Sequence, residues 1–273
     1  KKSKNKKKFN KINFVHLDLR KKVENVKFNF KIDTMVHFGE YSRPYIMINV
    51  YKHNIKIFDN VIKILNLTKC KKLIYISSTE AVGPNIKKNK LVESSICRPI
   101  TDYGRSKLRN EIKLKKIKKM NFKYIILRPT TIYGPNSIEF YKFFKLNNIG
   151  LFPFRSNKKC IEYFYLEDLI TIIKKLVFKN IKNQTYNISP SKLLSINEIL
   201  RIVSMVTKKK WLNFSLINFF IDKMCNIFFK STSKRFKDYY WNSSNKKIKK
   251  IIHFKETNFF NGVKKTYEYY QKS

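Results

Sequence analysis

Short runs of consecutive apolar residues alternate along this chain with longer polar and basic stretches. The run Leu73-Ile74-Tyr75-Ile76-Ser77-Ser78 has the length and β-branched content of a buried strand, and it predicts a strand ending at Ser78. Thr79-Glu80-Ala81-Val82-Gly83-Pro84 then breaks it with turn residues. A second run, Tyr124-Ile125-Ile126-Leu127, follows a basic helix expected over residues 104–119 and stops at Arg128-Pro129. Strand, helix and strand in that rhythm predict an α/β fold with a parallel sheet. Further on, the pattern predicts a helix over 138–148 and a strand followed by a helix over 161–176. Another helix is expected to open at Ser195-Ile196-Asn197-Glu198 with a serine cap. Trp211 to Phe229 is strongly apolar, but Asn213, Asn218, Asp222, Lys223 and Asn226 interrupt it, which is too polar for a membrane span. An amphipathic cover over a cleft and an interfacial membrane helix both remain open for it. No internal repeat or low-complexity linker intervenes.

One pentad carries chemistry. Tyr103-Gly104-Arg105-Ser106-Lys107 begins 25 residues after Ser78. On a helix, positions four apart share a face with Cβ atoms about 5–6 Å apart, so Tyr103 and Lys107 enter the same space. A phenol is a poor base at neutral pH unless a nearby cation stabilises the phenolate. Lowering its pKa by about 3 units takes about 4 kcal/mol of differential stabilisation, which requires a lysine in a partly desolvated cleft. Ligands of open α/β sheets bind beyond the carboxyl ends of strands, where Ser78 falls. A hydroxyl, a tyrosine and a lysine at one sheet edge suit proton transfer in alcohol–ketone chemistry.

The 273 residues suffice for an α/β core with a smaller lobe, and 43% hydrophobic content fits a globular protein. The formal charge of +42 raises a polyanion-binding alternative. The 60 basic residues, however, comprise 51 Lys and 9 Arg spread over the whole chain. Base-reading surfaces favour arginine forks in local patches, so this distribution argues against nucleic acid and for drift towards A- and T-rich codons. Lys1 to Lys11 reads as a solvated basic tail. Cys70, Cys97, Cys160 and Cys225 are dispersed, and no His cluster has ligand spacing. Neither disulfides nor a metal is expected, and the default is the cytoplasm or another reducing compartment. His16 and His37 fall in strand-like runs and read as core or loop residues.

Several ordered landmarks share one resemblance. They are Val15-His16-Leu17-Asp18-Leu19-Arg20, Asp33 to Gly39, Asn54 with Asn60, and the Ser-Ser strand; then Glu93, Pro99, Tyr103 to Lys107 with Glu111, and Leu127 to Pro135. Tyr163 to Leu169 and Tyr186-Asn187-Ile188 complete the set. Together they resemble the extended short-chain dehydrogenase/reductases, also called the NAD-dependent epimerase/dehydratase family. The resemblance implies a Rossmann-like doubly wound parallel sheet: a core over 1–147 and a substrate lobe over 148–273, interleaved with the last core elements. It also implies that Tyr103 is the general acid/base, that Lys107 lowers its pKa and holds the nicotinamide ribose, and that Ser78 orients the substrate oxygen. Asp18, Leu19, Phe38, Gly39, Tyr103, Lys107 and Pro129 would contact NAD or NADP, and Thr79, Glu80 and Thr131 the substrate. Glu80 is weighed as an acidic assistant against a solvated turn residue.

Two departures qualify the resemblance. The six glycines, Gly39, Gly83, Gly104, Gly134, Gly150 and Gly262, build no dinucleotide-binding turn, so the first strand, its phosphate loop and the second strand are expected to lie outside this chain. Thr131 and Ile161 stand where nucleotide-sugar enzymes of the family carry Asn and Arg. Lys158, Lys159 or Arg155 would be the substitutes. The expected reaction is hydride transfer between the cofactor and a secondary alcohol or ketone. Alternatives are a nucleotide-sugar epimerase or dehydratase using the same step transiently, and a non-catalytic scaffold. A homodimer and peripheral membrane contact are open partners.

Overall fold

The computed structural model describes residues 14–21, 23, 31–42, 49–85, 89–117, 121–150, 160–209 and 241–272. The basic tail, Arg155, Lys158, Lys159 and the Trp211–Phe229 segment lie outside the described residues.

Four parallel strands form the central sheet in the order β1-β2-β3-β7: β1 (Thr34–His37), β2 (Lys72–Ile76), β3 (Lys123–Pro129) and β7 (Gln184–Ile188). Alternate residues of β2 and β3 face opposite ways, and each set meets helices. Leu73, Tyr75, Tyr124 and Ile126 pack with Phe58, Val61 and Leu65 of α1 (Val50–Leu67) and Leu114 of α2 (Asp102–Lys116). Ile74, Ile76, Ile125 and Leu127 pack with Leu169, Ile172 and Leu176 of α4 (Leu166–Phe178). Both faces are covered, which is why these strands read as unbroken apolar runs rather than alternating ones. The sheet is therefore doubly wound in the manner expected.

Boundaries differ from expectation where capping decides them. β2 stops at Ile76, because Ser78 turns its hydroxyl to the Glu80 N–H and opens a short 3₁₀ turn, Thr79–Ala81. α2 covers 102–116 rather than 104–119, since Thr101 caps it two residues earlier. The strand expected near 161 is two pieces split at Glu162: β5 (Cys160–Ile161), paired antiparallel with β8 (Leu194–Ser195), and β6 (Tyr163–Tyr165), paired parallel with β4 (Thr131–Tyr133).

A second, largely aromatic core lies between α3 (Ile138–Asn148), α5 (Ile196–Thr207) and α7 (Phe259–Gln271), holding Tyr133, Phe140, Phe144, Tyr165, Ile199, Val203 and Val263. α5 begins with a full capping box: Ser195 accepts from the Glu198 N–H, and the Glu198 carboxylate accepts from the Ser195 N–H at 2.7 Å. The segment before the one-turn α6 (Lys246–Lys249) bridges the two cores, with Ser243 bonded to the Glu162 carboxylate and its carbonyl accepting from Ser189 at 2.6 Å. At the amino end of the sheet, the Lys72 amine donates to the carbonyls of Leu176, Val177 and Lys179 around the C-terminal end of α4. No helix among the described residues is long and apolar enough to cross a membrane.

Candidate active site

The site is assembled by the junction between the 3₁₀ turn and α2. The Thr101 hydroxyl accepts from the Gly104 N–H at 2.9 Å and donates to Glu80 Oε2 at 2.7 Å, tying the helix cap to the turn. Gly104 makes the close approach possible: a Cβ there would stand 2.4 Å from the Glu80 carbonyl oxygen. One residue earlier on the same turn of helix, Tyr103 is thereby brought to the turn that carries Ser78.

Burial and the negative charge of Glu40 push the Tyr103 pKa well up, against the opposing pull of the Ser78 hydroxyl. Lys107, one turn further on, is 2% exposed. Its ammonium donates to the Ile76 carbonyl at 2.6 Å, pairs with Glu40 Oε2 at 3.0 Å and lies 5.5 Å from the Tyr103 ring centroid. Burial lowers the Lys107 pKa, partly offset by Glu40. Glu40 follows β1 and is fully enclosed. Burial acts to raise its pKa, but Lys107 and His37 outweigh this and leave it below the usual carboxylate value.

A second ion pair sits one turn along α2. Glu111 accepts from Arg128 Nε at 2.9 Å and Nη2 at 2.6 Å, and from the Ser77 hydroxyl at 2.6 Å. Arg128 also donates to the Glu93 carbonyl at 3.3 Å, while the Glu93 carboxylate accepts from the Asn187 N–H at 2.9 Å. Ser77 precedes Ser78, so this pair braces the strand end that carries the site.

Ser78, Tyr103, Lys107, Thr79 and Glu80 thus gather beyond the carboxyl end of β2. Phe38, 51% exposed, and Gly39 line the open end of β1, and Pro129 ends β3. Glu80 is no free turn residue, since its carboxylate holds Thr101. Thr131 is exposed at the start of β4 and donates its N–H to the Glu162 carbonyl. Asp18 is engaged by Arg20 at 2.8 Å, whose hydrogen bonds hold its carboxyl well below the usual range. The loop carrying Asp18 and Leu19 is pinned to α1 by the Asn60 amide, which donates to the Leu19 and Lys21 carbonyls at 2.8 and 2.7 Å. Asn54 does the same for the chain after β1, exchanging bonds with the Tyr41 backbone and donating to Ser106.

Sequence reasoning missed Glu40 and Thr101. An acid directly after Gly39, in a chain with only 18 acids against 60 bases, was the available signal for the first. Among the described residues no group of His, Cys, Asp and Glu could hold a metal ion. A nicotinamide dinucleotide fits the site on two points: an ammonium has three donors and Lys107 uses two, and the ends of β1 and β2 present an open crest. A cavity of about 350 Å³ lies at the opposite ends of the strands, lined by Asp33, Lys71, Lys72, Lys123 and Asn180. No part of the Ser78–Tyr103–Lys107 cluster reaches it.

A model of the NAD dependent epimerase/dehydratase family matches residues 1–189. No curated protein matches the sequence. Among solved structures, a UDP-glucuronic acid 4-epimerase from Bacillus cereus in complex with NAD is 19% identical, with a TM-score of 0.70 over 88% of this chain and 75% of its own. A UDP-glucose 4-epimerase from Thermotoga maritima with UDP-glucose is 19% identical at 0.69, covering 88% and 77%. RMD from Pseudomonas aeruginosa, complexed with NADPH, is 12% identical at 0.71, covering 88% and 82%. At these identities the likeness establishes the fold.

Proposed function

The chain belongs to the NAD-dependent epimerase/dehydratase family, and from that premise we propose that it transfers hydride reversibly at a secondary alcohol carbon of a nucleotide sugar, using Ser78, Tyr103 and Lys107. The observation that supports this reading is the convergence of the three side chains beyond β2, with the Lys107 ammonium 5.5 Å from the centre of the Tyr103 ring.

NAD or NADP, when bound, supplies the hydride acceptor and donor. Asp18 and Leu19 would lie at its adenosine end, Phe38 and Gly39 along its middle, and Lys107 and Pro129 at the nicotinamide end. Tyr103 moves the proton at the substrate oxygen. With its phenol held protonated at neutral pH, it is set to donate to a carbonyl oxygen. To accept a proton from an alcohol it needs further positive charge nearby, which Lys107 and an oxidised nicotinamide ring provide. Ser78 orients the substrate oxygen towards the phenol. Thr79 and Thr131 are assigned to the sugar side, and the aromatic core between α3, α5 and α7 supports the substrate lobe.

The solved neighbours named for UDP-glucose and UDP-glucuronic acid favour a nucleotide sugar. Thr131 and Ile161 favour a lipophilic or small uncharged alcohol, because the phosphate-facing arginine and asparagine are replaced. A panel of UDP-, GDP- and dTDP-sugars beside sterols and small secondary alcohols separates the two. Epimerisation or dehydration without net change in cofactor absorbance is the expected result. Net NADH accumulation with an alcohol alone would transfer the assignment to a dehydrogenase. Tyr103→Phe should remove most turnover while leaving cofactor affinity nearly unchanged, and wild-type rates in that variant would sink the mechanism.

A further inference from the structure

Among the described residues, Lys107 is the one lysine taken fully out of water, although the chain holds 51. A buried ammonium keeps its proton only with a compensating anion. Arg128, the other buried cation, has Glu111 for that purpose. The counterion of Lys107 is Glu40, whose side chain is 0% exposed.

The surroundings of Glu40 are built for a carboxylate. Three elements converge on it: Lys107 Nζ at 3.0 Å and the Tyr75 hydroxyl at 3.3 Å meet Oε2, Asn110 Nδ2 donates to Oε1 at 3.4 Å, and His37 Nε2 lies 3.3 Å from Oε1. Resting on the hydride-transfer reading above, we propose that Glu40 is a positioning residue of the reaction, whose buried carboxylate holds the Lys107 ammonium against Tyr103 and sets how many protons the Tyr103–Lys107 pair carries. The charged and titratable groups facing this cluster are His37 from β1, Tyr75 from β2, and Tyr103, Lys107 and Glu111 from α2. Glu111 is committed to Arg128, which leaves Glu40 as the charge that Lys107 and Tyr103 share. The Ile76 carbonyl and Glu40 hold the ammonium between the Tyr75 and Tyr103 rings, 4.9 and 5.5 Å from their centroids.

The sign of the effect follows from counting charge. Removing one buried negative charge lowers the proton affinity of every group it faces, so Lys107 and Tyr103 both release protons at lower pH, as a coupled pair. Opposite charges this close move a titration by on the order of 1–3 pH units. NADH affinity is the readout, followed by cofactor fluorescence from pH 7 to 10. In the wild type the affinity should fall where the Lys107 ammonium, lowered by burial and held charged by Glu40, loses its proton. In Glu40→Gln its alkaline fall should move down by at least about one pH unit, a tenfold change in proton affinity. Glu40→Asp keeps the charge but withdraws it by one methylene, and its fall should move by a few tenths of a unit in the same direction. That variant also carries the test if Glu40→Gln does not fold. Wild-type binding with an unshifted profile in either folded variant overturns the inference alone. The measurement is made on protein that carries a phosphate loop, and absence of NADH binding by that wild type overturns the functional reading and this inference with it.

Discussion

Replacing Arg128 by Met should be among the most damaging single changes in the protein. The Arg128 side chain is 1% exposed and Glu111 0%, so the substitution leaves a carboxylate sealed from water with only the exposed Lys115, 3.7 Å away, to offset its charge. It also removes the donor to the Glu93 carbonyl. Breaking a buried pair from one side costs about 3–5 kcal/mol. At roughly 2–4 °C per kcal/mol for a protein of this size, the melting temperature should fall by roughly 6–20 °C. The loss comes mostly from the stranded charge, not from the absent attraction, and that distinction is testable. In Glu111→Gln/Arg128→Met, the amide oxygen still accepts from Ser77 and no charge is buried, so stability should return to within about 1–2 kcal/mol of wild type. Urea denaturation followed by far-ultraviolet circular dichroism measures all three proteins. If the single variant lies within about 1 kcal/mol of wild type, or the double variant is no more stable than the single one, the reasoning about this pair is wrong.

Three further outcomes are expected. Gly104→Ala should destabilise by about 1–3 kcal/mol and reduce turnover, because its Cβ meets the Glu80 backbone; an unchanged urea midpoint would refute the close approach. Glu162 is raised by burial to about 7, so its contribution to stability is complete below its unfolded value near 4.5 and is lost as pH rises through about 7. Glu162→Gln should therefore close a gap on the order of 2–3 kcal/mol between wild-type stabilities at pH 4.5 and pH 8, and a gap of equal size in both proteins would contradict this. Ser195→Ala should cost about 1 kcal/mol through the α5 capping box, read from the same denaturation curves.

The sheet was legible because strands enclosed on both faces must be apolar at every position, and Leu73 to Ile76 and Tyr124 to Leu127 are. The Tyr103–Lys107 spacing was legible because helix geometry fixes it. Strand ends were not, since Ser77 and Ser78 continue the run in composition but are drawn off by Glu111 and by the 3₁₀ turn. β4, β5, β6 and β8 are two or three residues long, below the reach of any periodicity. Glu40 stayed hidden for a related reason: an acid after a glycine in a loop reads as solvated, and only the third dimension brings Lys107, Tyr75 and Asn110 around it.

The two buried ion pairs divide the protein's response to ionic strength. Among the described residues every lysine but Lys107 reaches solvent, and these charges repel one another and are screened within a Debye length of about 10 Å at 0.1 M salt. Lys107–Glu40 and Arg128–Glu111 are each neutral overall and closed to mobile ions. Added salt should therefore tighten the scaffold by relieving surface repulsion while leaving the proton inventory at Tyr103 unaltered. The interior chemistry is insulated from the charge that the rest of the sequence has accumulated.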